Sequence, residues 1–132
     1  MSIENTPYLR RVLVLDCAAG FGAGLAMLAG GPFVAPYLGL PAGLLFWAGL
    51  ALLACAAFIA TFAFRPVVPR MLLFDIGLIN AVWAAGSIAI LLLGLVSPNV
   101  FGMAFVVAQA LLVGGFAVLQ FAALRRPAPA AA

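Results

Sequence analysis

The sequence predicts an all-α, polytopic membrane protein: a four-transmembrane-helix bundle with room for two tandem helix hairpins. Three observations carry that expectation. The chain of 132 residues is 68% apolar and 7% charged, with a mean hydropathy of +1.33, whereas soluble domains carry about 25% charged residues. Four apolar runs, residues 10–30, 41–64, 71–95 and 100–124, each supply the roughly 20 residues a helix needs to cross the hydrocarbon core. Basic residues, six arginines and no lysine, sit only at the ends of those runs.

Local signals set the boundaries of each run. Gly30-Gly31-Pro32 is expected to close the first, and Pro41 to open the second at a position where its missing N–H is harmless. Arg65-Pro66 ends the second, and Ser97-Pro98-Asn99 makes a tight link between the third and fourth. Residues 1–9 then form a cytoplasmic N-terminal segment, 10–124 the transmembrane domain and 125–132 a cytoplasmic tail, Pro/Ala-rich and expected to be disordered. A cleaved leader is not expected: the first apolar run exceeds an h-region of about 7–15 residues, and Glu4 stands where a basic leader belongs.

Charge gives the orientation. Arg10 and Arg11 precede the first span, Arg65 and Arg70 bracket the second connection, and Arg125 and Arg126 follow the fourth span. The other two connections carry no charge. The positive-inside bias therefore puts all six arginines, and both termini, in the cytoplasm. The net charge of +3 does not suggest nucleic acid, because the arginines form no clustered patch.

The residue inventory excludes much chemistry. There is no histidine, which removes the commonest zinc ligand and general base and the usual haem ligand. Cys17 and Cys55 lie in separate apolar runs at depths judged different, and read as packing residues without a disulfide or a metal. No cofactor and no metal are expected. An enzyme would need a nucleophile with its base, or a metal cluster, and neither can be assembled.

The two halves share a rhythm. Arg11-x-Leu-x-x-Asp16 opens the first pair of spans and Arg70-x-Leu-x-x-Asp75 the second, while Arg65-Pro66 and Arg126-Pro127 end them. Two hairpins of one orientation would form a parallel repeat.

Polar side chains fall into two sets by depth. At a rise of about 1.5 Å per residue, Asp16, Thr61, Asp75 and Gln120 each stand four or five residues from an arginine, so each helix offers one polar group to a shallow layer. That layer reads as a proton or cation site, or as a structural device in which each Asp favours a helix N-terminus and pairs with a folded-back arginine; the shallow position favours the latter. The deeper set is Asn80, Trp83 and Ser87, on one stripe of the third helix, with Gln109 on the fourth. A Ser87–Gln109 hydrogen bond is expected, Asn80 is expected to find a partner on helix 2 or 4, and the Trp83 indole needs an acceptor. The set reads as polar glue or as the lining of a pocket for a lipid headgroup, a quinone-like ring or a small solute. Asp75 lies about 140° around the helix from Asn80, on another face. On the first helix, Gly20-x-x-x-Gly24 shares a face with Asp16 and allows close helix approach, so that face is expected to meet protein.

The run Asn80-x-x-Trp83-x-x-x-Ser87, Gln109-Ala110, Leu119-Gln120 and Leu124-Arg125-Arg126 resembles small bacterial four-span integral membrane proteins. The resemblance implies the four-span fold and carries over no catalytic or binding residue. Small multidrug-resistance transporters differ in placing a glutamate in the middle of helix 1, and dual-topology fluoride channels in balancing their arginines. The sequence thus favours a non-catalytic accessory, lipid-interacting or assembly protein, in contact with membrane lipid and with a second copy or a larger membrane complex. The alternative is a small oligomeric transporter or channel using the Asp16/Asp75 layer.

Overall fold

The computed structural model describes residues 1–126. Four helices dominate it, α1 (Pro7–Leu38), α2 (Ala42–Ala63), α3 (Arg70–Leu92) and α4 (Val100–Arg125), each long and apolar enough to cross a membrane. Their outward faces are apolar too, with Leu15, Leu25, Val82, Leu111 and Val118 exposed. Such a surface suits a bilayer, where helices that bond their own backbone polar groups can stand among lipid chains.

Both ends of α1 depart from the sequence expectation. It starts three residues early, because Thr6 caps it: the Thr6 hydroxyl accepts from the Leu9 N–H at 3.2 Å, with Pro7 in the first turn. It also runs through Gly30-Gly31-Pro32 and Pro36 to Leu38, so the expected stop there is wrong. Neighbouring helices and local adjustment let a membrane helix tolerate proline. The stop comes at Gly39, whose φ of 68° is the left-handed conformation that glycine adopts freely. Its 32 residues give α1 a length of about 48 Å, well beyond a hydrocarbon core of about 30 Å. A second left-handed glycine, Gly94 at φ 69°, ends α3 at Leu92 instead of 95, with the Leu95 N–H reaching back to the Ile90 carbonyl at 3.0 Å.

Two short strands complete the fold. β1 (Ser2–Glu4) pairs antiparallel with β2 (Val67–Pro69), Ile3 opposite Val68, so the N-terminal segment is built into the structure. Asn5 extends the tie. Its side-chain amide donates to the carbonyls of Ala63 (2.9 Å) and Arg65 (2.8 Å) at the end of α2. At the same end Arg70 donates to the Leu124 carbonyl at 2.7 Å, and Arg126 stacks over the Tyr8 ring at 4.4 Å. These contacts gather the arginine-bearing ends of all four helices together. The Pro/Ala-rich tail, 127–132, lies outside the described residues, as does Pro127 of the expected repeat.

The opposite end is tied by Asn99. Its carbonyl oxygen caps α4 by accepting from the Gly102 N–H at 2.9 Å, its amide donates to the Tyr37 carbonyl, and its own N–H donates to the Leu38 carbonyl at 3.1 Å. Gly102 is required there, since a Cβ would run into the Leu38 carbonyl.

The helices pack as two hairpins, α1 on α2 and α3 on α4, joined by α1 against α4, while α2 and α3 stand apart with almost no direct contact. Small residues bring α1 onto α2: a Cβ on Gly20 would lie 3.1 Å from the Ala56 Cβ, and Gly24 faces Gly49. The Gly20/Gly24 face therefore meets protein, within the chain. Two apolar clusters fill the interior. Leu9, Leu13, Ile59, Leu73 and Ile76 lie toward the arginine end, and Met27, Leu40, Leu45 and Val106 toward the other. Between them the core is polar.

Candidate functional site

The polar layer is built by three helices. Asp16 on α1, Asn80 on α3 and Gln120 on α4 are 7%, 8% and 0% exposed. The Asn80 amide donates to Asp16 Oδ2 at 2.7 Å and to Gln120 Oε1 at 2.9 Å, and the Gln120 amide donates to the same Asp16 oxygen at 2.6 Å. The triangle is closed: each residue bonds both others.

This arrangement divides the expected shallow layer. Asp16 and Gln120 meet as expected, but Thr61 and Asp75 do not join them. Both are exposed, and the Thr61 hydroxyl bonds its own helix at the Phe58 carbonyl, 2.7 Å away. Both leave their helices outward, and Asp75 lies five residues before Asn80, nearer the arginine end. Nor does an arginine fold back onto Asp16, whose partners are the two amides. The place on α3 expected for Asp75 is taken by Asn80 from the deeper set, which finds its expected partner on helix 4. Measured from helix starts the agreement is natural: Asp16 stands nine residues after Pro7 and Asn80 ten after Arg70. Arg11 lies a turn inside α1, so counting from the arginines set the two at different heights.

The rest of the deeper set forms a second group. The Trp83 indole N–H donates to Gln109 Oε1 at 2.9 Å, Gln109 donates to the Val106 carbonyl at 2.8 Å, and Ser87 donates to the Trp83 carbonyl at 2.7 Å. Trp83 has the acceptor it required. The expected Ser87–Gln109 bond is not made, because the indole reaches Gln109 first and Ser87 bonds back along its own helix, a common choice for serine in mid-helix.

Two spaces flank these groups. A central cavity of about 70 Å³ lies against Asp16, Asn80, Trp83 and Gln109, with Cys55 and Phe116 in its wall. A lateral cleft of about 360 Å³ opens between α2 and α3, bounded by Leu44, Ala48, Val82, Gly86, Ile90 and Phe105. Met27, Trp83, Phe105 and Gln109 border both and form the partition between them.

The cysteines stay free thiols. Their heights differ less than counting implies, since Cys17 Sγ donates to the carbonyl of Ala56, next to Cys55, at 3.3 Å. Among the described residues no group of three or more Cys, Asp or Glu side chains could hold a metal ion.

Fold and site together define a class: a four-helix bundle of membrane-spanning dimensions with a carboxylate–amide layer in its core and a cleft open on one side. Comparison with known proteins returns no matching family model, no matching curated protein and no matching solved structure.

Proposed function

We propose that the chain is a non-catalytic, multi-pass protein of the bacterial inner membrane that holds a lipid acyl chain in the cleft between α2 and α3 and serves as an accessory or assembly component of a larger membrane complex. The observation that carries this reading is the chemistry of the cleft. Its three polar neighbours, Trp83, Ser87 and Gln109, spend their hydrogen bonds on one another and on backbone carbonyls. The wall left to a ligand is apolar, which favours a hydrocarbon chain over a polar solute or headgroup. The surrounding bilayer supplies such chains.

Six arginines at one end of the bundle support a cytoplasmic location for both termini. The hairpin pairing supports a parallel duplication, although the matched residues Asp16 and Asp75 differ in environment, one buried and one exposed. Asp75 also supports a partner. A carboxylate on an outward face between exposed Phe74 and Leu78 is costly against lipid, and a second copy or another subunit would cover it.

Native mass spectrometry of the protein released in mild detergent tests the lipid reading. A retained lipid is expected in the wild type and its loss in Gly86→Leu, which fills the cleft at a position where a Cβ meets nothing within 4 Å. A wild type that carries no lipid would overturn the reading. The competing reading, a small transporter or channel, draws on Asp16 without Asp75, and ion flux in reconstituted vesicles that Asp16→Asn abolishes would favour it.

A further inference from the structure

We infer that Asp16 and Asn80 bind one monovalent cation in the central cavity. The inference begins with a count of hydrogens. The Asn80 amide nitrogen has two, both committed, one to Asp16 Oδ2 and one to Gln120 Oε1. Its orientation is fixed by that pairing, because a flipped amide would press its oxygen against the carboxylate and against Gln120 Oε1. The oxygens left over are Asp16 Oδ1 and Asn80 Oδ1. Neither takes a hydrogen bond among the described residues, and neither is sealed from access. Both residues line the cavity, so the polar corner of that space presents two acceptors.

Charge points the same way. An ionised carboxylate held away from water requires compensation, and two amides offer dipoles without a net charge. The arginines that make specific contacts are engaged elsewhere: Arg70 on the Leu124 carbonyl, Arg65 over Phe62 and Arg126 over Tyr8. One carboxylate balances one positive charge. Calcium takes six to eight oxygen ligands, and magnesium gives up its octahedral water shell reluctantly, so either needs more ligands than two acceptors and the few waters this space admits. At about 70 Å³ the cavity has room for roughly two water molecules, so a small cation can keep part of its hydration while the carboxylate and the amide oxygen replace the rest. The remaining wall, including Ala23, Ile59, Ile79 and Phe116, is apolar and strengthens the attraction by excluding solvent.

Uncharged Asp16 is the competing arrangement, with a carboxyl proton on Oδ1 donated into the cavity. The two are separated by thermal unfolding of the purified full chain in detergent, in sodium chloride and in choline chloride at matched ionic strength. Binding to the folded state raises Tm with ligand concentration. We expect a rise of several degrees for each tenfold increase in sodium above half-saturation, absent with choline, whose quaternary headgroup is too large for the cavity. In Asp16→Asn the new amide oxygen can take the place of Oδ2 and accept from Asn80 and Gln120, while its nitrogen turns the cavity-facing acceptor into a donor. The sodium shift should vanish in that variant and persist in Asp75→Asn. Equal wild-type Tm in the two salts would overturn the site, a result that needs no variant to fold. A sodium shift that survives in folded Asp16→Asn would overturn it as well.

Discussion

Gly24 and Gly49 face each other across the α1–α2 contact so closely that a Cβ built on Gly24 would lie 2.9 Å from the Gly49 carbonyl oxygen, and one on Gly49 3.0 Å from the Gly24 carbonyl oxygen. The obstacle is backbone on both sides, so neither position can relieve a clash by turning a side chain. Gly24→Ala is therefore expected to force the hairpin apart at a cost of about 1–3 kcal/mol. Gly22, two residues away, has nothing within 4 Å of its Cβ position, and Gly22→Ala should be neutral or stabilising because alanine is the better helix former. Unfolding of the two variants in parallel separates the contact from helix propensity.

The carboxylate–amide triangle predicts non-additivity. Asn80→Ala leaves both Asp16 and Gln120 short of a donor in a buried layer and should destabilise by about 1–3 kcal/mol. Gln120→Leu removes the third corner. In a double-mutant cycle the two changes should couple by about 0.5–1.7 kcal/mol, the range of hydrogen bonds between membrane helices. Purely additive costs would mean that the three side chains do not act as one network.

Asn99 performs two tasks that substitution can separate. Asn99→Asp keeps an oxygen, now a carboxylate's, to cap α4 at the Gly102 N–H and loses the donor to the Tyr37 carbonyl, whereas Asn99→Ala loses both. Stability should fall in the order wild type, Asp, Ala, with the cap alone worth about 1 kcal/mol. Equal stability of the Asp and Ala variants would assign the whole effect to the Tyr37 contact.

The sequence was informative wherever one dimension sufficed. Apolar length identified all four spans, and distance along a helix brought Asp16 and Gln120 to a common level. Azimuth was the missing coordinate. Thr61 and Asp75 point outward, and Asp75 stands five residues short of Asn80, which looked too deep only because Arg11 and Arg70 mark different positions within their helices. The pairing of Ile3 with Val68 had no readable signal, since strands of three residues show no periodicity. Pro32 and Pro36 are breakers in water, and in α1 they are absorbed by a helix held along its length against α2. Asn99 follows Pro98 as a turn residue would, and its cap to Gly102 could have been read from that spacing; its grip on Tyr37 could not.

Asp16 and Gln120 are separated by 104 positions, which gives the triangle a history as well as a shape. At synthesis rates of roughly 5–20 residues per second, α1 exists for about 5–20 s before its glutamine partner is made. During that interval the first helix waits with Asp16 lacking first Asn80 and then Gln120, and β1 waits for β2 as well. The last helix to emerge thus completes the first. Truncation late in translation would leave behind an otherwise finished bundle in which Asp16 keeps Asn80 and lacks its second donor.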